Sequence, residues 1–164
     1  MGSQDIFFMF QAVNEARKAQ RLGEVPIGAV LVHQGQVLTR QHNQKEKTQD
    51  PTSHAEILCL REASSKLGSW RLVEATLYVT VEPCVMCVGA LLQARVGRVV
   101  FGCLEPKMGG LRSVYSLNDD HRLHHQFIIE EGLLEDQCQS LMQNFFKLKR
   151  QQSCVIEKFK STLP

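Results

Sequence analysis

Two short segments hold the residues of this chain best suited to chemistry: His54-Ala55-Glu56 and Pro83-Cys84-Val85-Met86-Cys87. Together they offer one imidazole, two thiols and one carboxylate that need not be a ligand. Two soft thiolates and an imidazole favour zinc among the available metals. Structural zinc sites fill four positions with Cys and His, whereas catalytic sites use three protein ligands and leave the fourth to water. The nearest further donor is Cys59, which falls on a different face of the same expected helix as His54; it is expected to point away and leave the set at three. Zinc lowers the pKa of a bound water towards neutrality. A carboxylate within hydrogen-bond reach, here Glu56, can take that proton and deliver it to a ring nitrogen. One reaction such a set can perform is hydrolytic deamination, in which water adds to an amino-bearing ring carbon and ammonia leaves. The competing readings are a redox CxxC pair, half of a structural zinc site and a non-enzymatic zinc-stabilised domain. A purely structural site has no need of Glu56.

These side chains need elements that converge. Cys84 and Cys87, three positions apart at the start of an expected helix over 84–94, share one face one turn apart. Pro83 suits the helix entry, and the positive end of the helix dipole favours thiolates there. His54 belongs to the first turn of an earlier helix, which Thr52 or Ser53 can cap, with Ala55, Ile57, Leu58 and Leu60 on its apolar face and Gly68 at its end. Two helix N-termini facing each other close the site. The helix over 84–94 is apolar almost all round, so burial on several sides is expected. Around these lie an amphipathic helix over 5–21, strands over 25–33, 37–40, 76–81, 96–101 and 127–129, loops over 41–52 and 103–118, and a last helix running from about 134 to 149 or on to 160. Strands alternating with helices point to one α/β domain over 1–164, with helices packed on a sheet.

Composition sets bounds on the rest. The chain has 164 residues, 43% hydrophobic and 22% charged, the proportions of a soluble globular protein. A formal net charge of +2 is too small to argue for nucleic acid by itself. No apolar stretch approaches the roughly 20 residues of a membrane span. The run Ile6-Phe7-Phe8-Met9-Phe10 lacks a basic flank and a cleavage site. No membrane association and a cytoplasmic location are expected. Outside the CxxC, Cys59, Cys103, Cys138 and Cys154 form no framework and read as buried small hydrophobes or inert thiols of a reducing compartment.

The pattern H-x-E followed by P-C-x-x-C resembles that of the zinc-dependent nucleobase deaminases. Longer segments narrow the likeness. Val25-Pro26-Ile27-Gly28-Ala29-Val30, Asp50-Pro51-Thr52-Ser53-His54-Ala55-Glu56, Ala75 through Cys87 and Gly97-Arg98-Val99-Val100-Phe101-Gly102 resemble the bacterial tRNA adenosine deaminases from the first helix to about Arg150. That resemblance implies conversion of the wobble adenosine of a tRNA anticodon to inosine, with one Zn2+ per subunit. It implies a cytidine-deaminase-like three-layer α/β/α fold, a five-stranded mixed sheet with helices on both faces. It also implies a homodimer whose partner is the tRNA anticodon stem-loop. The apolar helix over 84–94 fits a dimer interface or a monomer's core equally well.

Site residues carry over one at a time. Asn43 matches an Asn that holds the target nucleotide; its plain alternative is a turn residue. The backbone from Pro26 to Ala29, and from Glu82 to Cys84, would border the base. Gly28 either admits a close approach or merely weakens a strand. On the last helix, Phe145, Phe146, Lys147, Lys149 and Arg150, with Lys158 and Lys160 beyond, can stack bases and take phosphates; one of the two phenylalanines is expected in the core. Lys107 and Arg112 flank Gly109-Gly110 within reach of phosphates. His121, His124 and His125 read as loop residues rather than a second metal site. Ser53, Glu105-Pro106-Lys107-Met108 and Leu111-Arg112 depart from the family pattern. A deaminase of a free base such as guanine or cytosine is the alternative with the same metal chemistry.

Overall fold

Strand alternation sorts the side chains of this protein between two layers of helices. A computed structural model describes residues 2–161, with side chains described through 152. In chain order the elements are α1 (Ser3–Arg21), β1 (Gly28–His33), β2 (Gln36–His42), a single turn α2 (Lys45–Thr48), α3 (Ala55–Leu67), β3 (Ala75–Val81), α4 (Val85–Gln93), β4 (Arg98–Cys103), β5 (Ile128–Glu131) and α5 (Glu135–Ser161). The sheet runs β2-β1-β3-β4-β5. β1 pairs antiparallel with β2 and β3, whereas β3, β4 and β5 run parallel. The parallel steps are right for a strand–helix–strand crossover, and α4 makes the one between β3 and β4.

Ala29, Leu31, Leu77, Val79, Val99 and Phe101 face Ala55, Cys59, Ala63, Val88 and Leu91 of α3 and α4. The intervening Val30, Val32, Tyr78 and Val100 face Phe8, Met9 and Ala12 of α1. Val81 and Cys103 meet Val13 and Cys138, the last from α5. This is the expected mixed five-stranded sheet between helices. Gly28 is explained here: a Cβ on it would run into the backbone carbonyl of Ala12 and the amide of Ala16 in α1. The glycine serves the close approach of a helix to the sheet. Among the described residues no helix is long and apolar enough to cross a membrane.

Several expected boundaries move. α3 starts at Ala55 with His54 as its N-cap residue, and neither Thr52 nor Ser53 caps it. Both hydroxyls are taken by Asp50, Thr52 Oγ1 donating at 2.7 Å and Ser53 Oγ at 3.0 Å. β1 starts three residues late because Val25-Pro26-Ile27 makes a tight turn, with the Ile27 amide donating to the Val25 carbonyl. β2 instead continues to His42, and α2 occupies part of the expected loop. α4 is buried on one face only, through Cys87, Val88 and Leu91, while Val85 and Gly89 stay exposed. In β4 the start shifts from 96 to 98 because the Val96 amide closes the end of α4 by donating to the Leu91 carbonyl.

Candidate metal centre and the loops around it

His54 and Cys84 are both N-cap residues, of α3 and α4, in extended conformations with ψ of 151° and 170°. Neither side chain caps its own helix. Both turn outward from their helix starts and meet. His54 Nδ1 lies 3.7 Å from Cys84 Sγ and 3.6 Å from Cys87 Sγ, and the two sulfurs are 3.7 Å apart. Among the described residues this is the one group of three or more His, Cys, Asp or Glu able to hold a metal ion. Cys59 stays out of it. Its thiol donates to the Ala29 carbonyl at 3.4 Å, and burial pushes its pKa up to about 12.

The three ligand atoms share protons closely. The Cys87 thiol, and after it the His54 imidazole, hold Cys84 down at about 4 against the opposing effect of burial. The Cys84 sulfur and burial together drive Cys87 strongly upward. The Cys84 sulfur raises His54. Two thiols and an imidazole packed this closely suit a cation, which would bind by displacing the thiol protons. Two helix N-termini add positive potential at the same point.

Glu56 sits in the first turn of α3 and is 3% exposed. Its Oε2 is buried without a hydrogen-bond partner. Burial raises its pKa above the usual carboxylate range. A buried carboxylate oxygen without a partner costs free energy in the folded chain, and the group is adjacent to the Cys87 thiol, whose pKa it helps to raise.

Two loops flank the cluster, each hung on a buried acid. Glu82 Oε1 accepts from the amides of Leu111 (3.0 Å), Arg112 (2.6 Å) and Ser113 (3.0 Å). Its Oε2 accepts from the Glu105 amide (3.0 Å) and the Ser113 hydroxyl. Burial works against its ionisation, but these donors outweigh it and hold Glu82 below the usual range. The loop is also pinned to the cluster: Gly109 bridges to Cys84, and the Gly110 amide donates to the Pro83 carbonyl at 2.9 Å. On the other side Asn43 is buried, its Nδ2 donating to Glu24 Oε2 at 3.0 Å. The next amide, of Gln44, donates to the carbonyl of Ser53 at 3.0 Å, just before His54. Pro26 is buried in the turn before β1, and Ala29 lies in the core beneath α3. Sequence reasoning placed Glu82 by its backbone and missed both carboxylates. Only their position directly before Pro83, and two residues before Pro26, hinted that acids in such apolar stretches have work inside the fold.

A family model described as MafB19-like deaminase matches residues 3–150. The tRNA-specific adenosine deaminase of Bacillus subtilis is 44% identical over 156 residues, covering 95% of this chain and 97% of its relative. The chain belongs to the tRNA-specific adenosine deaminase family. A structure solved in a study of A-to-I editing by tRNA:A34 deaminases at the wobble position of transfer RNA matches with a TM-score of 0.80. It is 41% identical and covers 82% of this chain and 98% of its own. Guanine deaminase from Bacillus subtilis matches less completely, with a TM-score of 0.59 at 34% identity over 63% of this chain and 66% of its own.

α5 carries the aromatic and basic residues expected to meet RNA. Phe145 is 7% exposed and Phe146 42%, their rings edge to face at 5.4 Å. The core member of the pair is therefore Phe145, which is not free to stack on a base; Phe146 is. Lys147 and Arg150 are exposed, and Lys149 Nζ sits 5.6 Å from the Phe145 ring centre. The side chains of Lys158, Lys160 and Cys154 lie outside the described residues. Arg112 reaches Asp119 Oδ2 at 3.4 Å and Glu131 Oε2 at 3.9 Å, so acids already occupy it, while Lys107 is exposed. His125 contacts the Val96 carbonyl at 2.8 Å and His121 contacts Gln126. The departures from the family pattern are absorbed by the fold: Leu111 is fully buried, and Ser53 ties to Asp50.

Proposed function

We propose that this protein converts the wobble adenosine of a tRNA anticodon to inosine by hydrolytic deamination, using one zinc ion. The observation that carries the reading is the His54–Cys84–Cys87 triad beside the buried Glu56, whose Oε2 has no hydrogen-bond partner. A tetrahedral zinc with bonds of about 2.3 Å to sulfur and about 2.0 Å to nitrogen separates its sulfurs by about 3.8 Å and each sulfur from nitrogen by about 3.5 Å. The ligand atoms stand at 3.7 Å, and at 3.6 and 3.7 Å, so the residues fit the ion. Three protein ligands are the number a catalytic site uses. When bound, zinc supplies a Lewis acid that makes water acidic near neutral pH.

The chain's own residues do the proton work. Glu56 Oε2 is held for a proton: it takes one from the attacking water as the oxygen bonds to C6 and passes it to ring nitrogen N1, then carries the proton of the new C6 hydroxyl to the amine as the C6–N bond breaks, so that adenosine and water give inosine and ammonia. Its burial keeps water from competing for that proton. Asn43 holds the target nucleotide, and the backbone of Pro26 to Ala29 and of Glu82 to Cys84 borders the base. Phe146, Lys147 and Arg150 meet the anticodon stem-loop, with aromatic stacking and phosphate contacts dividing the work; Phe145 supports them from the core.

The protein acts as a homodimer in which residues 1–164 form one domain per subunit. The outer face of α3 and α4 supports this. It carries an apolar groove of about 680 Å³ lined by Ile57, Leu60, Trp70, Ala90 and Ala94 among others, with none of the metal ligands on it. Trp70 in its lining is exposed. The described cysteines are all unpaired, as in the reducing cytoplasm where tRNA is edited.

The test is nucleoside mass spectrometry after incubation with an anticodon stem-loop carrying a wobble adenosine, with free adenine, guanine and cytosine in parallel. Inosine in the stem-loop alone is the expected outcome. Product from a free base with none from the stem-loop transfers the substrate assignment to free-base deamination.

A further inference from the structure

We infer that Glu24 is a positioning residue for Asn43, fixing which end of the Asn43 amide meets the target nucleotide; this rests on the proposed role of Asn43. Glu24 follows the end of α1 and is 1% exposed. Its carboxylate accepts three N–H groups: Asn43 Nδ2 at 3.0 Å and the Glu46 amide at 3.2 Å on Oε2, and the Lys47 amide at 2.7 Å on Oε1. An ionised carboxylate only accepts. The Asn43 side chain must therefore turn its NH2 to Glu24, and its Oδ1 is left facing away. Among the described residues Oδ1 receives no hydrogen bond from the rest of the chain. Asn43 thus offers the nucleotide an acceptor and selects a donor, an O–H or N–H. The segment is tied at both ends: the Asn43 amide donates to the Ile27 carbonyl at 3.0 Å, and the Gln44 amide to the Ser53 carbonyl at 3.0 Å. The amide oxygen is held in register with both the start of β1 and the ligand His54.

Glu24→Gln separates orientation from mere presence. A Gln oxygen standing where Oε1 was keeps the shortest of the three bonds, from the Lys47 amide at 2.7 Å, gives up the longest, from the Glu46 amide at 3.2 Å, and leaves the NH2 in the Oε2 position towards Asn43. The Asn43 amide then flips to present its own oxygen to that NH2, and the nucleotide meets a donor in place of an acceptor. Atoms and shape are nearly unchanged; the sign of the contact is reversed.

The experiment is a double-mutant cycle with Glu24→Gln, Asn43→Ala and the pair. For each, kcat and KM are measured separately on the wobble-adenosine stem-loop, alongside bound metal and Tm. Asn43→Ala is expected to lower kcat/KM by roughly 10- to 100-fold, and Glu24→Gln by at least about 10-fold with metal retained. The pair should then be no worse than Asn43→Ala alone, because Glu24 acts through a side chain that is gone. Effects that multiply in the pair, or parental kcat/KM in Glu24→Gln, overturn the inference. A merely structural Glu24 would cost activity in the Asn43→Ala background as well. Parental activity in Asn43→Ala overturns the reading of Asn43 itself, a separate result. If Glu24→Gln does not fold, Glu24→Asp keeps the charge and retracts the oxygens by one methylene, and the same non-additivity is required of it.

Discussion

Replacing Glu82 by Gln removes one charge and places an NH2 group among five donors. In the parent chain Oε1 takes three backbone N–H groups and Oε2 takes the Glu105 amide and the Ser113 hydroxyl. The best Gln placement keeps its oxygen where Oε1 stood and retains those three bonds without their charge assistance. Its NH2 then faces the Glu105 N–H, two donors with no acceptor between them, while the Ser113 hydroxyl rotates to accept. A hydrogen bond to a charged group is worth about 1.5–3 kcal/mol and a neutral one about 0.5–1.5 kcal/mol. One lost bond and the weakening of the others sum to about 3 kcal/mol. For a chain of this size each kcal/mol shifts Tm by about 2–4 °C, so a fall of about 6–12 °C is expected. The assay is thermal unfolding of the metal-loaded protein followed by circular dichroism. Ser113→Ala, which removes a single donor, should cost about 1 kcal/mol. Because the loop bridges through Gly109 to Cys84, Glu82→Gln should lower turnover as well. A Tm within about 1 °C of the parent would refute the assignment of Glu82 as the anchor of this loop.

Two further outcomes follow from the geometry. Phe146→Ala should weaken stem-loop binding roughly ten-fold, within the range of about 1–3 kcal/mol for base stacking, with Tm nearly unchanged. Phe145→Ala should instead destabilise by about 3 kcal/mol as a core truncation; fluorescence anisotropy and thermal melts on both variants check the division. At the opposite end of the sheet, donation first from Arg98 and then from Tyr78 holds Asp5 well below the usual carboxylate range. A carboxyl with a depressed folded pKa contributes stability above its unfolded value, near 4, and loses it as pH falls through the folded value. Asp5→Asn should therefore lower Tm at pH 7, and the gap to the parent should narrow steadily from pH 5 to pH 2.

The His54–Cys84–Cys87 cluster was legible because its chemistry is local. Cys84 and Cys87 are spaced by the helix repeat, and the two helix N-termini that carry them and His54 sit where the apolar runs begin. The mixed five-stranded sheet was legible from resemblance, though not its strand order, and the burial of its strands from the apolar runs over β1, β3 and β4. What sequence could not resolve was settled by competition between neighbours. Thr52 and Ser53 are good caps in isolation, but Asp50 takes both hydroxyls. The two adjacent phenylalanines are chemically identical, and only the rotation of α5 against the sheet buries Phe145 and exposes Phe146. Arg112 resembles a phosphate ligand until Asp119 and Glu131 are found beside it. Glu24 and Glu82 carry no periodic signal at all, since their partners are backbone amides of loops distant in sequence.

The central claim is that one ion held by His54, Cys84 and Cys87 works with Glu56 as the proton carrier. Metal content and inosine formation measured on one preparation of Glu56→Gln test it most directly. The account predicts one zinc per chain, as in the parent, and turnover reduced by at least about 10²–10⁴-fold, the range of general acid–base catalysis. Inosine at the parental rate, or loss of the metal along with activity, would contradict it.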